Sequence, residues 1–168
     1  MSWNFMAVFV EGTSPEEAAA LLGPLHPTGE HSNLEMAELD PGEVFVGTKG
    51  AWTQLWGGAL SVPDGVTPHT RVLETVFGST ASVWGFTLHD GEHVRRWMSI
   101  EGAVSQDEGT PLAIESRYRM PDWGVDEDFI FAVIRDVTGI EFDPGMVLEI
   151  YREGAEHRTH GRGWFRRR

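Results

Sequence analysis

The stretch HDGEH, residues 89–93, has the residue types and spacing of a zinc-hydrolase signature. In the pattern H-x-x-E-H, two histidines bind the metal and the glutamate activates a water molecule. His89 and His93 must then lie on one side of the chain. An α-helix meets this condition, because at this spacing it returns to the same face after one turn. Zinc chemistry here therefore depends on whether residues 89–93 are helical.

The surrounding sequence predicts a β-hairpin instead. Asp90 and Gly91 are flanked on both sides by alternating β-branched and aromatic residues, which is a strong hairpin signal because a tight two-residue turn favours these residue types. Glycine within a helix also costs about 1 kcal/mol relative to alanine. In a hairpin, His89 and His93 project from opposite faces of the ribbon. We therefore predict a turn and assign no metal ligands here.

The composition indicates one globular domain. A chain of 168 residues buries about 70% of the surface that its unfolded form exposes. The absence of cysteine excludes disulfides, thiolate zinc sites and a cysteine nucleophile. The first ten residues are apolar but follow no basic leader, so they predict neither a signal peptide nor a membrane span. We expect a soluble, cytoplasmic protein without membrane contact.

The net charge of −13 is unevenly distributed along the chain. Residues 1–151 carry 24 acidic and 7 basic residues, whereas residues 152–168 carry 2 acidic and 6 basic residues. We predict one acidic α+β domain over 1–151 and a basic, flexible tail over 152–168. The acidic body should repel nucleic acid and anionic membranes. Only the tail could bind polyanions, and the candidate residues for that contact are Arg158, Arg162, Arg166, Arg167 and Arg168. The favoured interpretation is that the tail folds onto the acidic body or onto a neighbouring subunit.

Three helices are predicted. Ser14 caps the first, with Pro15 at its first position and Glu17 completing a capping box. Asp126 caps the third, which runs over 127–138 with a wide apolar stripe. The second is a short helix that starts at Thr67 and Pro68 and ends at Gly78, with Val72, Leu73, Val76 and Phe77 on one face.

Strands are predicted on both sides of the hairpin. Because strands and helices do not alternate strictly, the pattern favours an α+β fold: a mostly antiparallel sheet with about three helices packed on one face. The predicted strands outside the hairpin are 3–10, 34–39, 43–49, 51–58, 113–119 and 146–151.

The block from Val46 to Glu101 resembles a family of bacterial, chiefly actinobacterial, domains whose function is not known. The resemblance lies in VGTKGAWTQLW, a glycine followed by a tryptophan-bearing strand, and in RVLETVFGSTASVWGFTLHDG, which ends in Asp-Gly. It covers about a third of the chain and implies a small cytoplasmic domain. It transfers no site residues.

Seven tryptophans raise the possibility of an aromatic ligand surface. Trp52 and Trp56 share a face if their segment is a strand, and a two-residue loop at Asp90 and Gly91 would set Trp84 across from Trp97. Such indoles can stack sugars or bases, or can anchor a protein partner. Filling of the core is the favoured interpretation. The candidates for ligand or partner binding are Trp52, Trp56, Trp84, Trp97 and Trp123.

No catalytic residue or cofactor site is assigned. The sequence has no G-x-S-x-G elbow and no phosphate-binding glycine loop followed by lysine. Asp122, Asp126 and Asp128 alternate but lack the ordered loop and terminal glutamate of a calcium site. Asp126 to Asp128 are better explained as charges at a helix N-terminus.

These features favour a non-enzymatic domain that binds another protein, in an immunity-type or regulatory role, and the acidic body suits a basic partner. The alternative is a hydrolase or a small-ligand binder, carbohydrate-like in its specificity, that uses a Trp-lined cleft with carboxylates. Nucleic acid could be contacted only through the tail, and a homo-oligomer remains open.

Overall fold

The computed structural model describes residues 4–35, 40, 42–63 and 71–154. Within them, nine strands form a single antiparallel sheet in the order β2-β9-β3-β4-β1-β5-β6-β7-β8. The strands are β1 (Asn4–Glu11), β2 (Leu25–Asn33), β3 (Glu43–Lys49), β4 (Trp52–Gly57), β5 (Val72–Gly78), β6 (Val83–Asp90), β7 (His93–Ile100), β8 (Ala103–Glu108) and β9 (Val147–Glu153). The helices are α1 (Pro15–Leu22), α2 (Ala113–Arg117) and α3 (Glu127–Thr138), and a short 3-10 helix spans Ser79–Ala81.

The central strand β1 divides the core into two faces. Phe5 and Phe9 point to a side that is rich in aromatic rings, called here the aromatic face. Val8 and Val10 point to the other side, called here the aliphatic face. Both sets are buried, because successive side chains of a strand alternate between the faces of its sheet and both faces of β1 are covered.

The helix α3 packs on the aromatic face, against β5 and β6. Its Phe129 makes an edge-to-face contact with Trp97, with ring centroids 5.0 Å apart. Phe131, on the same helix, stacks on Phe142 at 4.3 Å. The predicted helix over 127–138 is therefore confirmed.

The helix α1 packs on the aliphatic face, where Ala18 and Ala19 are buried. Its capping box forms as predicted: Glu17 N donates to Ser14 Oγ at 3.2 Å, and Ser14 N donates to Glu17 Oε2 at 3.0 Å. The small alanine side chains let this helix approach the sheet closely.

The predicted α+β fold with three helices packed on one face is wrong. The protein is a nine-stranded antiparallel sheet with three short helices of 8, 5 and 12 residues in the described part of the chain. The helices α1 and α3 lie on opposite faces of that sheet. The fold is therefore more β-rich than the sequence suggested.

One cause of the error is β5, where a helix was expected. Val72 and Leu73, together with Val76 and Phe77, fit a helical stripe, but both faces of the strand are packed and the run is therefore apolar on both sides. A short apolar run cannot be assigned to helix or strand by its period alone. The proposed start of this helix at residues 67 and 68 lies outside the described residues.

The region around 113–119 shows the opposite error, because a strand was expected and α2 forms. Two other regions without a clear period, 25–33 and 103–108, form β2 and β8, the two edge strands. Of the strand predicted over 34–39, Leu34 and Glu35 lie in a turn and 36–39 lie outside the described residues. The last strand is confirmed as β9 and extends to Glu153.

Both edges of the sheet are irregular. In β2, the register against β9 shifts between Pro27 and His31. In the pairing of β7 with β8, the register shifts between Met98 and Ser99.

The longest helix among the described residues has 12 residues, well short of the roughly 20 apolar residues that cross a bilayer.

Candidate functional site

The predicted hairpin forms, with β6 ending at Asp90 and β7 beginning at His93. These two residues pair with each other, so the loop consists of Gly91 and Glu92 and lies one position later than predicted. Gly91 has φ 62°, whereas Glu92 is not in the positive-φ region. A turn with glycine at its first loop position needs positive φ there alone, which explains the shift.

The shift changes the cross-strand neighbours and preserves the faces. Trp84 lies across from Ser99, and Trp97 lies across from Phe86, so the predicted Trp84–Trp97 pair is wrong. His89 pairs with Val94 and not with Glu92 as predicted, so each residue's partner changes by two positions. A change of two positions keeps every side chain on its face, and His89 and His93 therefore still project from opposite faces.

The histidine His89 lies on the aliphatic side of the hairpin. Its Nε2 is 3.3 Å from Glu74 Oε1 on the neighbouring strand β5. His89 therefore takes part in a local polar contact and does not face His93. Within the described ranges, no group of three or more His, Asp or Glu side chains is placed to hold a metal ion.

A cavity of about 480 Å³ lies beside the hairpin on the aromatic face. Leu88 and Asp90 line it from β6, and His93 and Arg95 line it from β7. These residues share a face because Leu88 pairs with Arg95 and Asp90 pairs with His93. The segment 109–113, which runs from the end of β8 to the first residue of α2, forms the facing wall. We call this space the hairpin cavity.

The buried guanidinium of Arg95 fixes the back of the hairpin cavity. Its side chain is 4% exposed and forms ion pairs with Asp107 on β8 and Glu115 on α2, both at 2.5 Å. Its Nε also donates to Glu115 Oε1 at 2.9 Å, and its Nη1 donates to Glu108 O at 3.0 Å. The hydrogen bond to Glu115 raises the pKa of Arg95 above its ordinary value, against the lowering effect of burial. The side chain therefore stays charged and joins three elements.

The facing wall is held equally closely. Glu115 Oε1 accepts a hydrogen bond from Leu112 N at 2.7 Å, which ties the segment to the start of α2. Gly109 has φ +84°, and a Cβ at this position would lie 2.1 Å from Val94 O. Only glycine fits so close to the strand. The cavity is thus formed by the fold itself.

Four of the predicted tryptophans lie in the core. Trp52, Trp56, Trp84 and Trp97 are between 0% and 7% exposed, and all belong to the aromatic face. The indole of Trp56 donates to Gln54 Oε1 at 2.9 Å, which satisfies its N–H. None of the four lines the hairpin cavity. Binding of a ligand by these indoles stays a prediction.

Trp123 is placed differently, because its side chain is 80% exposed. Its Nε1 donates to Asp126 Oδ2 at 2.9 Å, so the ring is held in a fixed direction. Asp126 occupies the N-cap position of α3 as predicted, but its side chain makes no capping hydrogen bond to the helix backbone. The carboxylate instead orients an exposed indole.

A second cavity of about 480 Å³ lies between α2 and α3 and is lined by arginines and aromatic rings. Arg117 forms an ion pair with Asp136 at 2.7 Å, and Arg135 lies 3.8 Å from Glu141. The third arginine of the lining, Arg119, is exposed and has no ion pair with the described residues. The charges of this cavity are therefore largely matched by the protein itself.

Arg95, Glu115 and the 109–113 segment are site residues that the sequence alone does not indicate. Arg95 stands in the alternating pattern of β7, but nothing in the local sequence shows that it is buried or that a residue 20 positions later pairs with it. The five arginines predicted to contact polyanions, Arg158, Arg162, Arg166, Arg167 and Arg168, lie outside the described residues. Arg152 belongs to β9 and pairs with Glu30 and Glu43, both at 2.7 Å.

Compared with family models, with curated proteins and with solved structures, the chain gives no match in any of the three. The resemblance of Val46 to Glu101 to an actinobacterial family therefore stays a prediction. The function has to be inferred from the chemistry of the described residues.

Proposed function

We propose that this protein is a non-enzymatic protein-binding domain that contacts a basic partner through the loop between α2 and α3. We call residues 120–126 the Trp123 loop. The observation that carries the proposal is the fixed, solvent-facing indole of Trp123, which is 80% exposed while its N–H is held by Asp126.

An exposed indole in a fixed orientation suits a binding anchor. Tryptophan is among the residues that contribute most to protein–protein binding, because it covers a large area and loses little side-chain entropy. The hydrogen bond to Asp126 reduces that loss further, since the ring is already oriented before a partner arrives. Met120, which is 40% exposed, adds apolar surface to the same loop.

The charge around the indole indicates the chemistry of the partner. Residues 120–128 contain the carboxylates of Asp122, Asp126, Glu127 and Asp128 and no basic residue. A lysine or arginine of a partner could lie over the indole ring and pair with a neighbouring carboxylate at the same time. The net charge of −13 would also accelerate encounter with a basic protein.

An immunity-type or regulatory role is the concrete form of this proposal, in which binding itself is the activity. We place that role in the cytoplasm, in keeping with a sequence that has no cysteine. The alternative of a hydrolase or carbohydrate-like binder with a Trp-lined cleft has less support, because Trp52, Trp56, Trp84 and Trp97 are at most 7% exposed.

The test is affinity capture from a lysate of the source organism with three baits: the wild-type chain, Trp123→Ala and Val147→Ala. Val147 is a matched control, because it is 67% exposed and lies on β9, outside the Trp123 loop. We expect a stoichiometric partner with the wild-type and Val147→Ala baits, and about a tenfold or greater loss with Trp123→Ala. The captured partner should be basic and should elute with moderate salt.

Two results would contradict the proposal. One is the absence of any stoichiometric partner on the wild-type bait. The other is equal capture by Trp123→Ala, which would move the contact away from this loop. Circular dichroism of the three baits checks that each is folded.

A further inference from the structure

The hairpin cavity combines an apolar wall with a charged rim. Leu88 from β6 and Pro111 and Leu112 from the facing segment supply the apolar lining. Asp90, Glu92 and His93 supply the rim. A volume of about 480 Å³ falls in the range of pockets that enclose small organic ligands, roughly 300 to 1,000 Å³.

The walls of this cavity are tied to one another by contacts within the fold. Arg95 joins β7, β8 and α2 through Asp107 and Glu115, and Gly109 lies against the backbone of Val94. Binding to a preformed site avoids the entropic cost of ordering its walls. These contacts support a cavity that is formed before a ligand arrives.

The charge that remains for a ligand is negative. Arg95 is the cation in the lining, but its Nε and both Nη atoms already donate to protein acceptors. Asp90 pairs with Arg71 at 3.1 Å in a contact whose side chains are 34% and 53% exposed, and such a pair is weak in water. Glu92 has no ion pair among the described residues, so the rim carries uncompensated carboxylate charge.

We propose that the hairpin cavity binds a small organic cation, namely an ammonium group on a compact apolar body. The ammonium lies between Asp90 and Glu92 and donates hydrogen bonds to their carboxylates. The apolar body lies against Leu88, Pro111 and Leu112. An anionic ligand is disfavoured, because it would have to approach these carboxylates while the charge of Arg95 is already matched by Asp107 and Glu115.

This site is separate from the Trp123 loop, and neither proposal depends on the other. We take the ligand to be a free small molecule, because a volume of about 480 Å³ suits a compact body. A lysine side chain of a partner protein also carries an ammonium group, so the experiment compares a lysine peptide with the free small molecule.

The experiment is an NMR titration of the isotope-labelled full chain with three probes of one shape: cyclohexylammonium, cyclohexanol and cyclohexanecarboxylate. We expect saturable shifts of the Leu88 and Leu112 methyl signals with cyclohexylammonium. We also expect its affinity to exceed that of cyclohexanol by about tenfold and that of the carboxylate by more, because charge-assisted hydrogen bonds are the stronger ones.

Variants then test the carboxylates. Glu92→Gln should weaken cyclohexylammonium binding several-fold, and Asp90→Asn with Glu92→Gln should remove its advantage over cyclohexanol. Glu101→Gln is the matched control and should leave the affinity unchanged, because this exposed glutamate lies in the turn at the other end of β7. Since Glu92 is an exposed turn residue, its variant should fold normally.

Four outcomes would overturn the proposal. They are the lack of saturable shifts with cyclohexylammonium, equal or tighter binding of cyclohexanecarboxylate, an unchanged ammonium preference in the double variant, and tighter binding of the peptide Ala-Lys-Ala than of cyclohexylammonium. The last would make a partner's side chain the ligand.

Discussion

Tyr151 is a buried phenol on the aliphatic face whose hydroxyl has no hydrogen-bond partner among the described residues. Its residue is 1% exposed, so water does not replace the missing partner. Burial raises the pKa of Tyr151 above its ordinary value, and the nearby charges of Glu16 and Glu149 raise it further. An unpaired buried hydroxyl costs stability, and its removal leaves the ring packing intact.

We predict that Tyr151→Phe leaves the free energy of unfolding at pH 7 unchanged or raises it by up to about 1 kcal/mol. The pH dependence has a definite sign. Because the folded-state pKa of Tyr151 is raised, its neutral form stabilises the fold below about pH 10, and this stability is lost as the pH rises through the folded pKa. Tyr151→Phe should therefore unfold less readily than the wild type in alkaline solution, as measured by urea unfolding between pH 7 and pH 11.

Tyr118 provides the comparison for this variant. Burial also raises its pKa, followed by the charges of Asp126 and Asp128. Its hydroxyl is not among the buried atoms that lack a partner, so Tyr118→Phe should not raise the free energy of unfolding at pH 7. A loss of more than about 1 kcal/mol in Tyr151→Phe would show that its hydroxyl has a partner after all.

Among the secondary-structure elements, α2 is held by a charged contact and by Ile114, which packs against the aromatic face. It has five residues and no buried residue of its own, and Glu115 fastens it to Arg95. Removing one member of a buried ion pair leaves the other charge desolvated and unpaired. Arg95 is therefore a structural residue for α2, for β8 and for the wall of the hairpin cavity.

We predict that Arg95→Met lowers the free energy of unfolding by about 3 kcal/mol, because Glu115, which is 14% exposed, loses its cation while it stays largely buried. Asp107 is 60% exposed and is hydrated instead, so its loss adds little. Arg96→Met is the matched control on the same strand. Arg96 is 40% exposed and lies 3.5 Å from Glu108, so its loss should cost less than about 1 kcal/mol. Urea unfolding of both variants measures the difference, and equal losses would contradict the structural role of Arg95.

The elements that the sequence predicts are those with local signals. The capping box of α1 and the long apolar stripe of α3 each act within a few residues, and both form. The hairpin also forms, but its loop is Gly91 and Glu92 and not the predicted Asp90 and Gly91. The apolar residues of β5 fit a helix and a strand equally well. They form a strand because both faces of that strand are covered by other parts of the protein. Glu115 of α2 pairs with Arg95, which lies 20 residues earlier, and the residues of α2 alone do not predict this contact.

The candidate sites also depend on contacts between residues that are distant in sequence, so the sequence does not predict them. The exposure of Trp123 and the burial of the other four predicted indoles cannot be read from residue type, since both depend on which side of an element faces the core. The hairpin cavity joins β6 and β7 to a segment about 20 residues later, and this juxtaposition requires the complete sheet. The sequence indicated the hairpin but not its neighbour.

At the scale of the whole molecule, the charge of −13 acts against the compact state, because like charges repel more strongly when they are brought together. Salt screens this repulsion beyond about 10 Å at 0.1 M. We predict that the Tm rises when sodium chloride increases from 0.02 M to 0.2 M, as measured by differential scanning calorimetry. A matched series with choline chloride should give the same rise if screening is the cause, and a constant or falling Tm would contradict this account.

The two irregular edges bear on how the molecule meets others. On β2, Pro27 has no backbone N–H to offer, and the ladder is broken before His31. On β8, the register shift and the carboxylates of Asp107 and Glu108 discourage an incoming strand. Both edges therefore disfavour the addition of a further strand. We expect another protein to be recognised through side chains and not through backbone hydrogen bonds to an edge strand.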